Sequence, residues 1–178
     1  MRRAIIGACF LCLAAGPALA VDPVAPDPTV DCNDLKNLSP AFRIDTCQSL
    51  LASGSLTQDQ TRMAMHGLGV AYAQKGHFTV AIATFTKILA TYPDDADDYL
   101  SRGAAYLVSG KKELGLADYD KAVAIRPKHS YLMRATAYFH LGKYDQALAD
   151  CDSELKLDPA DDLAKKLREQ VQAHLGGL

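Results

Sequence analysis

Cysteine thiols are the most reactive side chains that follow the first twenty residues of this 178-residue chain. They belong to Cys32, Cys47 and Cys151. None of the three belongs to a Cys-x-x-Cys pair, which argues against a thiol redox enzyme. Cys32 and Cys47 are near each other in a leading segment, so we predict that these two form a disulfide. Cys151 is either a small buried residue or a thiol for an intermolecular bond.

The histidines do not follow a metal-binding pattern. No two lie a helical turn apart with an acid between them, and none adjoins a cysteine. His129 and His140 are predicted to share one helix, about 16 Å apart along its axis, which is too far for both to hold one ion. We therefore predict surface or groove histidines, no metal site and no cofactor.

Signals of several other function classes are missing from the sequence. It contains no Gly-x-Ser-x-Gly turn, no phosphate loop and no clustered carboxylates in a strand-end setting, so we predict that the protein is not an enzyme. The formal net charge is -2, and charges of both signs are interspersed. This balance favours neither nucleic acid nor an anionic membrane surface as a partner.

Residues 1–20 are typical of an export signal. Arg2 and Arg3 precede an apolar run that ends in the small-x-small pattern Ala18-Leu19-Ala20. An uncleaved membrane anchor is the alternative, but the run is short for a span and contains glycine and proline. We predict cleavage before Val21, no membrane span in the mature chain, and a proline-rich tether over residues 21–31.

Three stretches of similar sequence organise the rest of the chain. They read AIATFTKILATYP, GLADYDKAVAIRP and ALADCDSELKLDP, and they begin at Ala81, Gly115 and Ala147, 34 and then 32 residues apart. Apolar and small residues recur in each at helical spacing, and another helical stretch precedes each one. This period indicates helix-turn-helix units stacked in one array. Each first helix ends at a glycine suited to a left-handed turn, namely Gly76, Gly110 and Gly142.

These units resemble the tetratricopeptide repeat, with copies at residues 62–95, 96–127 and 128–161. The residues that match its pattern are Met65, Leu68, Gly69, Tyr72, Ala81, Phe85 and Pro93 in repeat one, Tyr99, Gly103, Tyr106, Gly115, Tyr119, Ala122 and Pro127 in repeat two, and Tyr131, Ala135, Tyr138, Ala147 and Pro159 in repeat three. Three residues depart from the repeat pattern: Ile88, Cys151 and Glu154. The resemblance implies an all-α fold, a right-handed superhelix of three tetratricopeptide repeats with a leading helix and a C-terminal capping helix.

The physics of packing agrees with this resemblance. Gly69 and Gly103 lie inside predicted helices, where glycine costs about 1 kcal/mol relative to alanine, so we expect the paired helices to approach closely there. The 32-residue step predicts a shortened turn before repeat three, with a local change of superhelix pitch. Aromatic side chains are expected to fill the core between units: Tyr72, Phe85, Tyr106, Tyr119 and Tyr138.

The flanking segments are predicted to end the array. Residues 32–61 include AFRIDTCQSLLASG, which resembles the second helix of an incomplete unit with Cys47 at the aromatic position. Thr57 or Ser55 is expected to cap the helix that follows. Residues 162–178 are predicted to form an amphipathic helix whose polar face makes the end of the array soluble.

The resemblance also implies a concave groove, lined by the first helix of every unit. The residues at its groove-facing positions are Met63, His66, Val70, Ala73 and Gln74, then Asp97, Leu100, Ala104, Leu107 and Val108, then His129, Leu132, Thr136, Phe139 and His140. Some members of the family clamp a peptide carboxylate with Lys, Asn and Arg at these positions. None of those residue types is present there, so this clamp is not expected.

Apolar residues of the groove point to a protein or peptide ligand. Leu100, Leu107, Leu132 and Phe139 are expected to face water, and exposed apolar surfaces of this kind mark binding sites. The alternative is that the chain's own termini fill the groove.

An interaction module is the function that these observations favour. With a cysteine-containing leading helix before a few such repeats, this chain resembles a group of small exported proteins from the bacterial periplasm. This resemblance implies a periplasmic module that binds a protein or peptide and supports assembly of an envelope complex. A self-associating scaffold is the main alternative, and an exported enzyme is a weaker one.

Overall fold

A computed structural model describes Cys32 and residues 39–177, and every regular element in this part of the chain is a helix. The predicted signal peptide and tether lie outside the described residues. The helices are α1 (Pro40–Ser53), α2 (Gln58–Gln74), α3 (Phe78–Thr91), α4 (Ala96–Val108), α5 (Lys112–Ile125), α6 (Pro127–His140), α7 (Tyr144–Leu157) and α8 (Asp162–Gly176).

Helices that follow each other in the chain pack against each other throughout the described region. In addition, α2 contacts α4, α4 contacts α6, and α6 contacts α8, so the first helices of successive units lie side by side along one face. The pairs α2–α3, α4–α5 and α6–α7 are the three predicted repeats, between α1 and α8. The predicted all-α, superhelical repeat fold is confirmed.

The turns inside the repeats are built on glycine, as predicted. Gly76, Gly110 and Gly142 have φ angles of 77°, 81° and 72°. An L-residue with a side chain is strained in this left-handed region, whereas glycine is not. The glycine therefore ends the first helix of each unit within a few residues of the start of the second.

Glycine inside the helices lets paired helices approach, which was also predicted. A Cβ added to Gly69 would lie 2.8 Å from ring atoms of Phe85, and one added to Gly103 would lie 3.0 Å from the carbonyl oxygen of Gly115. Both distances are shorter than ordinary van der Waals contacts. The helix-propensity loss at these positions is therefore offset by packing between α2 and α3 and between α4 and α5.

Side chains cap α2, α4 and α8 at their N-termini. Thr57 begins α2 with a capping box in which its hydroxyl accepts from the N–H of Gln60 and its own N–H donates to the Gln60 side chain. Asp95 and Asp161 each accept two backbone N–H groups, at the starts of α4 and α8. Of the two predicted caps for α2, Thr57 is the one that the structure uses.

The shortened turn before repeat three is held by an acid from the next helix. Lys128 and His129 lie inside α6 but have non-helical backbone angles, and φ of His129 is 72°. The backbone N–H of His129 donates to both carboxylate oxygens of Glu154, at 2.8 and 2.9 Å. Glu154 is only 1% exposed. Thus the buried carboxylate replaces the aspartate cap that the longer turn before repeat two contains.

This geometry corrects one sequence prediction. His129 and His140 were expected on one continuous helix, but His129 precedes the regular part of α6, because the turn lacks two residues and the chain must bend there. His129 is exposed and lies next to the turn.

The aromatic core is only partly as predicted. Phe85 and Tyr119 are buried, at 0% and 4% exposed, whereas Tyr72, Tyr106 and Tyr138 are partly exposed. The partly exposed rings of Tyr106 and Tyr138 instead contact guanidinium groups of the same helix.

In repeats two and three, an arginine of the first helix pairs with an aspartate of the second helix. Arg102 donates from Nε and Nη2 to the two carboxylate oxygens of Asp118, both at 2.8 Å, and Arg134 does the same to Asp150. The hydrogen bonds that Arg102 donates to Asp118 raise the pKa of Arg102. Bidentate pairs in which both side chains are mostly buried fix helix orientation more firmly than a surface pair would.

A candidate disulfide joins Cys32 to Cys47 of α1, and Cys32 lies against α2. The Cα atoms of Cys32 and Cys47 are 5.8 Å apart, a separation that suits a disulfide. A Cβ added to Gly67 would lie 2.8 Å from the Cβ of Cys32, so glycine at this point of α2 makes room for the cysteine. The nearby Arg43 is 2% exposed and donates to the carbonyl of Gly67, and burial lowers its pKa.

Cys151 is the buried small residue that one of the two sequence interpretations proposed. It is 0% exposed and unpaired, in a cluster with residues of α6 and α8. Burial, followed by the neighbouring carboxylates, raises the pKa of its thiol to about 11.

Candidate functional site

An open, mainly apolar pocket lies between α4 and α6 on the first-helix face. Its volume is about 420 Å³. It is lined by Ala104, Leu107, Val108, Lys112, Tyr119, Met133, Thr136, Ala137, His140 and Leu141, and we refer to it as the α4/α6 pocket. Five of the predicted groove residues meet here: Ala104, Leu107, Val108, Thr136 and His140.

Apolar atoms form most of the pocket wall. Ala104 and Ala137 are small, which leaves space between the two helices. The hydroxyl of Thr136 donates to the carbonyl of Leu132 at 2.9 Å, so its proton is already engaged within α6. Val108, at the end of α4, is 67% exposed. A wall of this kind accepts an apolar side chain.

Three polar side chains lie at the edge and floor of the pocket. Lys112, in the first turn of α5, and His140, at the end of α6, are exposed. Tyr119 is 4% exposed, and burial raises the pKa of its hydroxyl to about 12, so this group stays protonated in neutral solution. The lining contains no carboxylate.

A second, smaller opening lies between α2 and α4. It has a volume of about 200 Å³ and is lined by Arg62, Met63, His66 and Asp97. Its residues are already engaged with one another or with their neighbours. Arg62 pairs with Asp95, Asp97 pairs with Arg126, and His66 bonds to Asp98. This end of the groove therefore has few free polar groups to offer a ligand.

The bond from His66 links the first two repeats. Its Nδ1 lies 2.7 Å from Oδ1 of Asp98, a side chain that is 0% exposed. The second oxygen of Asp98 is buried without a partner in the described residues. Asp98 was missed in the sequence because the equivalent positions hold Ala64 and Ser130, which carry no charge.

Two of the four leucine and phenylalanine positions expected to face water are buried. Leu100 is 7% exposed and packs with Tyr119 and Ala137, while Leu132 is 6% exposed and packs with Cys151. The prediction of an exposed apolar stripe was wrong at these positions. Each leucine reaches between neighbouring helices, where burial of its side chain is more favourable than contact with water.

Phe139 is also not free. Its ring is partly buried against Tyr144 and His174, with ring centroids 5.7 and 5.1 Å away. His174 belongs to α8, so the C-terminal helix covers the end of the groove. The alternative that a terminus fills part of the groove therefore holds for this end, and the open surface is confined to the middle.

The other predicted groove residues lie outside the pocket. Val70 is partly buried against the Phe85 cluster, and the exposed Gln74 accepts a hydrogen bond from Arg43. His129 lies in the bent turn that precedes the regular part of α6.

Within the described part of the chain, no group of three or more histidine, cysteine, aspartate or glutamate side chains is arranged to hold a metal ion. No described helix is long and apolar enough to cross a membrane.

Comparisons with known proteins identify the repeats. Two family models, both described as tetratricopeptide repeat, match residues 66–130 and 128–161, which together exceed half of the chain. The chain is a tetratricopeptide-repeat protein. As a member of this family it has a non-enzymatic scaffold that serves protein interaction.

Solved tetratricopeptide-repeat structures share the fold. The first such domain of Spaghetti (RPAP3), bound to the HSP90 peptide SRMEEVD, is 25% identical, with a TM-score of 0.59 over 69% of this chain and 99% of that one. The second domain of human RPAP3, in complex with the HSP70 peptide SGPTIEEVD, is 25% identical, with a TM-score of 0.52 over 58% of this chain and 88% of that one. A repeat protein from Parabacteroides merdae is 17% identical, with a TM-score of 0.63 over 80% and 58% of the two chains.

A curated relative extends the similarity to yeast. Superkiller protein 3 of Saccharomyces cerevisiae is 30% identical over 63 residues, which cover 35% of this chain. The match spans only 4% of the length of Superkiller protein 3, so it concerns the repeats alone.

Proposed function

We propose that this tetratricopeptide-repeat protein is an exported module that holds a segment of a partner protein on its first-helix face and thereby supports assembly of a complex in the cell envelope. The observation that carries the proposal is the α4/α6 pocket, an open, mainly apolar surface in the middle of the array, where Val108 is 67% exposed. Exposed apolar surface beside a concave wall is typical of a docking site.

Related structures support a peptide as the ligand. Two similar solved domains are complexes with peptides that end in EEVD. This chain lacks Lys, Asn and Arg at the predicted groove positions, so we do not extend that ligand to it. Its pocket favours an apolar anchor over a cluster of carboxylates.

Export is supported by the first twenty residues, whose arginines, apolar run and Ala18-Leu19-Ala20 ending suit cleavage before Val21. A periplasmic location is therefore part of the proposal. N-terminal sequencing of protein recovered from the periplasmic fraction should begin at Val21. Recovery of protein that still begins with Met1 in the cytoplasm would contradict export.

Photo-crosslinking in intact cells tests the interaction. A photoreactive phenylalanine analogue at Val108 should crosslink one major partner, which mass spectrometry then identifies. The matched control is Val80 on α3, which is 44% exposed and lies outside the pocket. Equal crosslinking at both positions, or none at Val108, would contradict the proposal, whereas a product between two copies of this chain would favour the scaffold alternative.

A further inference from the structure

We propose that the α4/α6 pocket recognises an internal apolar side chain that is followed by an acidic residue in the bound segment, with the apolar group between α4 and α6 and the carboxylate at Lys112. This inference rests on the proposed function and specifies the class of its ligand. It differs from the peptides of the similar structures, because it requires no free C-terminus.

The apolar half of the motif follows from the wall. Ala104 and Ala137 leave the space, Leu107 and Val108 supply apolar surface, and Thr136 offers a methyl group because its hydroxyl donates to Leu132 at 2.9 Å. A polar side chain placed against Ala104, Ala137 and the Thr136 methyl group would lose hydrogen bonds with water, so an apolar side chain is favoured there.

The acidic half follows from the charges at the rim. Lys112 is exposed and forms no ion pair with any of the residues that the structure describes. Since the pocket lining holds a lysine and a histidine but no carboxylate, its charge complements an acid on the ligand.

Tyr119 lines the pocket and is itself buried, at 4% exposed. The arrangement thus has a place for the apolar side chain and a cation for the residue that follows.

Three capped peptides test this recognition: acetyl-Ser-Leu-Asp-Ser-amide, the same peptide with Asn for Asp, and the same peptide with Ala for Leu. Binding to the purified, isotope-labelled protein is followed by NMR titration. We expect saturable shifts at the amides of Val108, Lys112 and Thr136 with the Leu-Asp peptide. The Asn peptide should bind about threefold to fivefold more weakly, and the Ala peptide at least about tenfold more weakly.

Protein variants provide the matched control. Lys112→Glu should weaken the Leu-Asp peptide by about fivefold and leave the Asn peptide nearly unchanged. Lys121→Glu makes the same charge change at an exposed position of α5 outside the pocket, so it should alter neither affinity.

Several results would overturn the inference. It is wrong if the Leu-Asp peptide gives no saturable shift, if the Ala peptide binds equally well, or if Lys112→Glu and Lys121→Glu have the same effect. It is also wrong if binding appears only after residues 21–31 are removed, because the chain itself would then fill the pocket. If Val108 crosslinks a partner in cells but the peptides fail, the proposed function stands and this motif does not.

Discussion

Replacing Glu154 with alanine should destabilise the protein far more than removing an exposed carboxylate. Glu154 is 1% exposed, and its two oxygens accept the backbone N–H of His129 at 2.8 and 2.9 Å. A hydrogen bond to a charged group contributes about 1.5–3 kcal/mol, and alanine also leaves a small cavity. We expect the free energy of unfolding to fall by about 2–4 kcal/mol.

Conservative variants separate the hydrogen bond from the other roles of this side chain. Glu154→Gln keeps an acceptor oxygen and should lose about 1 kcal/mol, while Glu169→Ala on the exposed face of α8 should stay within about 0.5 kcal/mol of wild type. His129→Gly keeps the N–H and removes a side chain from a left-handed position that costs an L-residue about 1–2 kcal/mol. Its stability should therefore be equal to or above that of wild type.

Guanidinium unfolding followed by far-ultraviolet circular dichroism measures these differences. The reasoning is refuted if Glu154→Ala is as stable as Glu169→Ala, since the shortened turn would then be held without this carboxylate. It is also refuted if His129→Gly is the most damaging variant, because the imidazole and not the backbone N–H would then be the important group.

Three further outcomes follow from the packing. Gly69→Ala should lose about 1–3 kcal/mol because its Cβ would lie 2.8 Å from a buried ring, whereas Gly176→Ala, with nothing within 4 Å, should be neutral or slightly stabilising in thermal denaturation. Reduction of Cys32 and Cys47, which are 15 residues apart, should lower stability by about 3 kcal/mol, and identical denaturation curves with and without reductant would disprove the bond. Because the pKa of the Cys151 thiol is raised to about 11, little thiolate exists at pH 8. Ellman's reagent should therefore label this thiol only after unfolding. Rapid labelling of the native protein would show that the thiol is accessible.

Sequence reasoning succeeded where structure depends on neighbours in the chain. The repeat units, the left-handed glycines at Gly76, Gly110 and Gly142, and the cap at Thr57 were predicted because each has a local signature. Helical periodicity and turn residues act over a few positions and can be read from one sequence.

The groove was predicted less well because its surface depends on contacts between units. The groove-facing positions of the repeat pattern include Leu100 and Leu132, but each of these side chains is buried between helices. Phe139 is covered by His174, a contact that no repeat position encodes. Which apolar residue stays exposed is decided by the neighbours that the superhelix brings together, and these are not visible in the pattern.

Other features had a signal that the sequence analysis did not use. Arg102 and Asp118 are separated by the same 16 residues as Arg134 and Asp150, which suggests paired positions on the two helices of a unit. Glu154 was noted as a departure from the pattern, and the missing residues before repeat three were noted separately. Only the structure shows that the glutamate occupies the place of the missing cap.

The affinity of the crosslinked partner for two valine variants tests the central claim most directly. Val108→Asp places a charge in the α4/α6 pocket, and Val80→Asp places the same charge on α3, with both positions exposed enough to leave the fold intact. Isothermal titration calorimetry should show binding weakened at least about tenfold by Val108→Asp and unchanged by Val80→Asp. Wild-type affinity in Val108→Asp, or an equal loss in Val80→Asp, would contradict the assignment of this pocket as the docking site.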